Sequence, residues 1–96
     1  MLMTRRAMRF RPYRATCVSN ALRDHGAAAL DAESAKYAAA LGGWVIDMAP
    51  IRIPPAILAN DVKRELISVL EGQVSDEDLM KVAEESVLAY KAGRCK

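Results

Sequence analysis

Two amphipathic helices are predicted between residues 54 and 93 from the spacing of apolar positions. In "PPAILANDVKRELISVLEG", apolar side chains recur three and four residues apart, at Ile57, Leu58, Val62, Leu66, Val69 and Leu70. Pro54 and Pro55 suit a helix start, where a missing N–H is tolerated, and Asn60 or Asp61 is an alternative cap. Gly72 is the predicted end of this helix.

The segment "SDEDLMKVAEESVLAYKAG" has the clearest helical pattern in the chain. Ser75 and Asp78 have the spacing of a capping box, and Lys91 suits the negative end of the helix dipole. Gly93 is the predicted terminator. The apolar stripe comprises Leu79, Ala83, Val87 and Tyr90, widened by Met80 and Val82. We expect this helix to pack antiparallel on the preceding one through these stripes.

Two further helices are predicted in the first half of the chain. "TCVSNALRDHG" is a short one, capped by Thr16 or Ser19 and stopped by Gly26. "LDAESAKYAAALGG" has Asp31 as N-cap, with Gly42 and Gly43 as its predicted end. Ala35, Ala38, Ala39 and Leu41 can lie along one face of this helix. The small alanine side chains favour close contact with another helix.

The segment "WVIDMAPIRI" has a different pattern. It contains β-branched and aromatic residues, and Pro50 forbids a helix through its middle. Ile51 and Ile53 alternate with Arg52, so a short strand near residues 44–53 is one prediction and an extended linker is the other. The predicted fold is therefore mainly α, a small bundle of three to four helices.

Charge is distributed unevenly along the chain. Residues 1–15, "MLMTRRAMRFRPYRA", carry five arginines and no acid, whereas residues 16–96 carry nine basic and twelve acidic residues, a net charge of −3. We therefore divide the chain into a basic N-terminal arm, residues 1–15, and a single helical domain, residues 16–96. Three interpretations of the arm stay open. It is a transit peptide, a polyanion-binding arm, or else a loosely structured basic tail or extra residues ahead of the physiological start.

A chain of 96 residues forms one small domain of marginal stability, which association with a partner or a second copy would increase. Its two cysteines, Cys17 and Cys95, are predicted to be free thiols in a reducing compartment. A disulfide bond between them is the alternative if the termini meet. The predicted location is cytoplasmic, or the mitochondrial matrix if residues 1–23 act as a transit peptide. The longest uncharged run, ten residues after Lys36, is too short to span a bilayer, so no membrane partner is expected.

Catalytic chemistry is not expected from this sequence. The single histidine, His25, follows Asp24, and adjacent residues on a helix point about 100° apart, so they do not form a dyad. Cys17, His25 and Cys95 lack the spacing of a zinc site. We predict no enzyme, no metal and no cofactor.

Residues 51–90 contain, in this order, "IRIPP", the helix to Leu70, the turn "EGQV", and the polar start of "SDEDLMKVAEESVLAY". In this arrangement they resemble a ribbon-helix-helix DNA-binding domain. It implies a dimer whose strands pair between subunits, with Arg52 facing the major groove and Ser75 against a phosphate. The strand offers a single polar residue, and Asp76–Asp78 would lie close to that phosphate.

The leading prediction is a non-catalytic interaction module, an accessory subunit, adaptor or inhibitor that docks on a larger protein or complex. Large apolar side chains off the helical stripes are its candidate contacts, namely Phe10, Tyr13, Trp44, Ile46 and Met48. For Trp44 the alternative is a core residue that closes the alanine-rich helix. The alternative function is a dimeric nucleic-acid-binding regulator of ribbon-helix-helix type. Its candidate contacts are Arg5, Arg6, Arg9, Arg11, Arg14 and Arg52.

Overall fold

Regular structure in the described part of the chain is entirely helical. A computed structural model describes residues 12–25 and 30–95, so most of the basic arm lies outside it. Within these ranges lie α1 (Pro12–Asp24), α2 (Ala32–Met48), α3 (Pro55–Leu70) and α4 (Asp76–Ala92). The prediction of a mainly helical bundle is confirmed. None of these described helices has both the length and the apolar character needed to cross a membrane.

Local capping accounts for three predicted helix starts and one predicted end. The Asp31 carboxylate accepts the N–H of Ser34 at 2.7 Å, and the Ser75 hydroxyl accepts the N–H of Asp78 at 3.1 Å. Pro55 occupies the first position of α3. Gly93 ends α4 with φ of 70°, the left-handed conformation that glycine adopts without steric penalty.

Helix α1 begins earlier than the sequence pattern predicts. It starts at Pro12 rather than after Thr16 or Ser19. Proline's fixed φ is compatible with the first turn of a helix, so Pro12 opens α1. The segment from Pro12 to Ala15, assigned to the arm from its charge, therefore belongs to the helical domain.

The predicted end of α2 at Gly42 and Gly43 is wrong, because the helix continues to Met48. Both glycines are buried where α1 crosses α2. A Cβ atom on Gly43 would lie 2.7 Å from the backbone nitrogen of Ala15. These glycines therefore allow close packing rather than stopping the helix.

The predicted strand near residues 44–53 is also wrong in this structure. Residues 44–48 are the last turns of α2, and Ile51 and Arg52 form a turn ahead of α3. Pro50 still prevents a continuous helix, but it acts two residues beyond the end of α2.

The four helices pack in a ring, with α1 against α2 and α4, and α3 against α2 and α4. Neighbours are antiparallel, since Arg14 in the first turn of α1 contacts Asp47 near the end of α2, and Lys91 near the end of α4 reaches the carbonyl of Ile53. The side chains that fill the centre are Val18, Ala21, Leu22, Ala38, Ala39, Ile46, Leu58, Ala59, Val62, Leu66, Leu70, Val74, Leu79, Val82, Ala83 and Val87. The expected antiparallel packing of the stripes on α3 and α4 forms one half of this core.

A disulfide joins Cys17 in α1 to Cys95 beyond the end of α4. Their Cα atoms are 4.9 Å apart, and both residues are buried. The prediction of free thiols is therefore wrong, because the ring brings the first helix against the end of the last one. Disulfides persist mainly in oxidising compartments, and the location of the chain stays a prediction.

Candidate docking surface on helices α2 and α3

The five predicted partner contacts differ in how far the structure exposes them. Trp44 is 52% exposed and Met48 is 64% exposed, whereas Ile46 is 1% exposed and belongs to the core. Two positions along a helix turn the side chain by about 200°, so Ile46 faces the opposite side from Trp44. Its assignment as a contact is therefore wrong. Phe10 and the side chain of Tyr13 lie outside the described part of the chain.

The outward direction of Trp44 follows from how α2 packs. Ala38, Gly42 and Ile46 face the bundle, which leaves the other side of α2 to solvent. Tyr37, Trp44 and Met48, spaced seven and four residues apart, share that outer side, and Tyr37 is 59% exposed. Trp44 is therefore not the core residue that closes the alanine-rich helix, and that alternative is wrong.

A groove with a volume of about 420 Å³ lies between the end of α2 and the middle of α3. Trp44 and Met48 line one wall, and Asp61, Arg64 and Glu65 line the other. The remaining lining residues, Val45, Ala49, Pro50 and Ile53, are apolar or small. One wall of the groove is therefore apolar and the other is charged.

The charged wall carries an unbalanced acid. Arg64 and Asp61 pair with each other at 3.1 Å within α3. Glu65 is half-buried, and its carboxylate forms no hydrogen bond or ion pair with any residue in the described ranges. A carboxylate without such a partner gains a charge-assisted hydrogen bond from a basic group, so this wall favours a cation.

Two further exposed isoleucines lie outside the lining of the groove, on the connection between α2 and α3 and at the start of α3. Ile51, in the turn after α2, is 92% exposed, and Ile57, in the first turns of α3, is 53% exposed. We call Trp44, Met48, Ile51 and Ile57 the apolar patch. Sequence reasoning placed Ile57 in the buried stripe of α3, which is wrong. No local signal separated it from Leu58, because both are apolar residues at stripe positions of the same helix.

The histidine takes part in a contact between two helices. His25 Nε2 lies 2.7 Å from the Glu85 carboxylate, which joins the end of α1 to the middle of α4. Together with Lys81, Glu84, Leu88 and Arg94 these residues line a depression of about 280 Å³. Acidic and basic side chains both line this depression, and we interpret the His25–Glu85 contact as one that holds α1 against α4.

Arg14 does not lie where a phosphate could reach it. It is only 9% exposed, its Nε lies 2.8 Å from the Asp47 carboxylate, and its guanidinium stands 5.1 Å from the ring centre of Tyr90. Its assignment as a nucleic-acid contact is therefore wrong, because α1 carries it into the bundle. Arg52 is exposed in the turn before α3. The other four arginines, Arg5, Arg6, Arg9 and Arg11, lie outside the described residues.

The ribbon-helix-helix resemblance is matched only in part. Helices α3 and α4 lie where it implies, but the described ranges contain no strand ahead of α3. The Ser75 hydroxyl already caps α4, with Asp76 and Glu77 exposed beside it. Arg52, the residue that the resemblance places in the major groove, lies in a turn.

Metal binding finds no support in the described part of the chain. No group of three or more His, Cys, Asp or Glu side chains is arranged there to hold an ion.

Compared with known proteins, the chain matches no protein family, no curated protein and no solved structure.

Proposed function

We propose that this chain is a non-catalytic interaction module that docks on a larger protein through the apolar patch and its groove. The observation that carries the proposal is the pairing of Trp44 and Met48, both more than half exposed, at one wall of an open groove. Tryptophan is among the residues most enriched at the energetic centres of interfaces. Exposing this side chain in the free molecule gains nothing for stability, whereas burying it against a partner releases its hydration water.

The position of the patch supports the same proposal. Its members come from α2, the following turn and α3, which are held together by the bundle core rather than by the patch itself. A preorganised surface loses little conformational entropy on binding. Contiguous exposed apolar surface with charged residues at its edge is typical of interaction sites.

The test compares patch variants with a matched control in recovery of partners from an extract of source cells. Trp44→Ala and Met48→Ala each remove a patch side chain, and Leu88→Ala removes a similarly exposed apolar side chain, 57% exposed, on α4. We expect proteins recovered by the wild type and by Leu88→Ala to be lost with Trp44→Ala. The partner so identified is then purified, and titration should give at least about tenfold weaker binding for Trp44→Ala.

Folding is checked in parallel by circular dichroism and urea denaturation. Because Trp44 and Met48 are largely exposed, both variants should keep wild-type helicity and unfold close to the wild-type midpoint. Collapse of Trp44→Ala would show a structural role instead. Equal recovery by the wild type and both patch variants would overturn the proposal.

A further inference from the structure

We propose that the groove binds an amphipathic α-helix of a partner protein, with a lysine or arginine of that helix set against Glu65. This inference rests on the proposed function and specifies the chemistry of the partner.

The exposed apolar side chains of α2 form a narrow stripe. Tyr37, Trp44 and Met48 follow the helix axis for about 16 Å, at 1.5 Å for each residue. The groove beside this stripe lies between two antiparallel helices, α2 and α3. The depression between two antiparallel helices is a place where a third helix packs, with its ridges set into the grooves of the other two.

Other modes of peptide recognition fit the face less well. Addition of a strand needs an exposed sheet edge, and the described residues contain no strand. Recognition of a polyproline segment needs a groove lined with several aromatic rings, and Trp44 is the single aromatic among the residues that line this one. Helix-in-groove binding lays the apolar face of a helix on apolar surface, supplied here by Trp44 and Met48, and leaves the polar flank of that helix beside the charged wall.

The charge of the groove determines which charge a residue of the partner helix should carry there. The Asp61–Arg64 pair is satisfied within α3, so it leaves Glu65 as the groove's unmatched group. A helix that lays its apolar face on Trp44 and Met48 would place a flanking residue near Glu65. A basic residue at that position gains a charge-assisted hydrogen bond, whereas an acidic one is repelled.

The experiment selects binders from a phage-displayed library of random peptides on the immobilised full-length wild-type chain with its disulfide intact. Peptides of about 16 residues are long enough to form a helix on binding. We expect the enriched sequences to carry large apolar residues three and four positions apart, with a lysine or arginine flanking them. A representative peptide should gain helical circular dichroism when mixed with the chain.

Variants then locate the bound peptide. We expect about tenfold weaker binding to Trp44→Ala and to Glu65→Lys, and wild-type binding to Leu88→Ala. Exchanging the peptide's basic residue for glutamate should restore binding to Glu65→Lys. That reversal identifies the contact with Glu65 and excludes a general loss of fold.

The contrary results separate this inference from the proposed function. Peptides that require Trp44 but lack helical spacing or a basic residue would contradict the binding of a basic amphipathic helix. Docking of a partner at the apolar patch would still stand. A selection that yields no Trp44-dependent peptide would overturn the helix as well, and the extract experiment would decide the function alone. A dimer in light scattering at micromolar concentration that Trp44→Ala converts to a monomer would identify a second copy as the occupant and overturn the partner helix.

Discussion

Gly43 shows how one missing side chain determines the packing of two helices. A Cβ atom there would lie 2.7 Å from the nitrogen and 2.9 Å from the Cα of Ala15, and backbone atoms cannot rotate away. We expect Gly43→Ala to lower the free energy of unfolding by about 2 kcal/mol through overpacking. The loss should appear although alanine favours a helix by about 1 kcal/mol over glycine. Urea denaturation followed by circular dichroism measures it.

Gly42→Ala is the matched control for this prediction. Its new Cβ would meet the two Cγ atoms of Val18, at 3.0 and 3.2 Å, and a side chain can adjust where a backbone cannot. The loss in free energy of unfolding should therefore be clearly smaller than for Gly43→Ala. Equal effects of the two substitutions, or a stabilised Gly43→Ala, would show that α1 does not approach α2 this closely.

At the scale of the element, the start of α2 depends on an ionised cap. Hydrogen bonds from Ser34, chiefly from its backbone N–H, hold the pKa of Asp31 below its ordinary value. A carboxyl group whose pKa is lowered by folding stabilises the protein fully above its unfolded pKa of about 3.9. That contribution is lost as the pH falls through the lower, folded pKa.

Asp31→Asn isolates this contribution, because asparagine keeps a side-chain oxygen acceptor but does not ionise. We expect the wild type to be the more stable protein near pH 7 and the difference to shrink as the pH falls below about 4. The measurement is the urea midpoint of both proteins across this range. A difference that stays constant, or grows in acid, would contradict the role of the charge.

How far each element could be predicted depended on where its determinants lie. The caps at Asp31 and Ser75 are local in sequence, so both helix starts were predicted correctly. The end of α2 was not, because the role of Gly43 depends on α1, a separate helix that crosses it. A Gly-Gly pair has the same local signature at a helix end and at a close helix crossing.

The candidate site follows the same division. Trp44 and Met48 were predicted as contacts from their residue type and their place beside Pro50, and both are exposed. The misassignment of Ile46 followed from the predicted helix end, since the face of a residue is undefined until the helix is known to continue. Glu65 could not be found from the sequence, because the groove exists only where α3 lies against α2.

The whole molecule is closed by the Cys17–Cys95 disulfide, whose partners are 78 residues apart in sequence. A link across so long a loop restricts the unfolded chain more than the folded one, and the loop-entropy estimate is about 4 kcal/mol. Both sulfur atoms are also buried, so removing the side chains would add a packing loss to the entropic one. The link should therefore be tested by reduction, which breaks the bond and keeps both sulfur atoms in place.

We expect reduction of the wild-type chain to lower its free energy of unfolding by about 4 kcal/mol, measured by urea denaturation with and without reductant. Cys17→Ala/Cys95→Ala should be at least as unstable as the reduced protein and insensitive to reductant, which makes it the control for other effects of the reagent. Identical midpoints for the oxidised and reduced wild type would contradict a stabilising bridge.

The bridge joins α1 to the end of α4, whereas the groove is built by α2 and α3. Under conditions where the reduced chain stays folded, Trp44-dependent binding should therefore be unchanged, which separates the stability of the bundle from the surface that it presents.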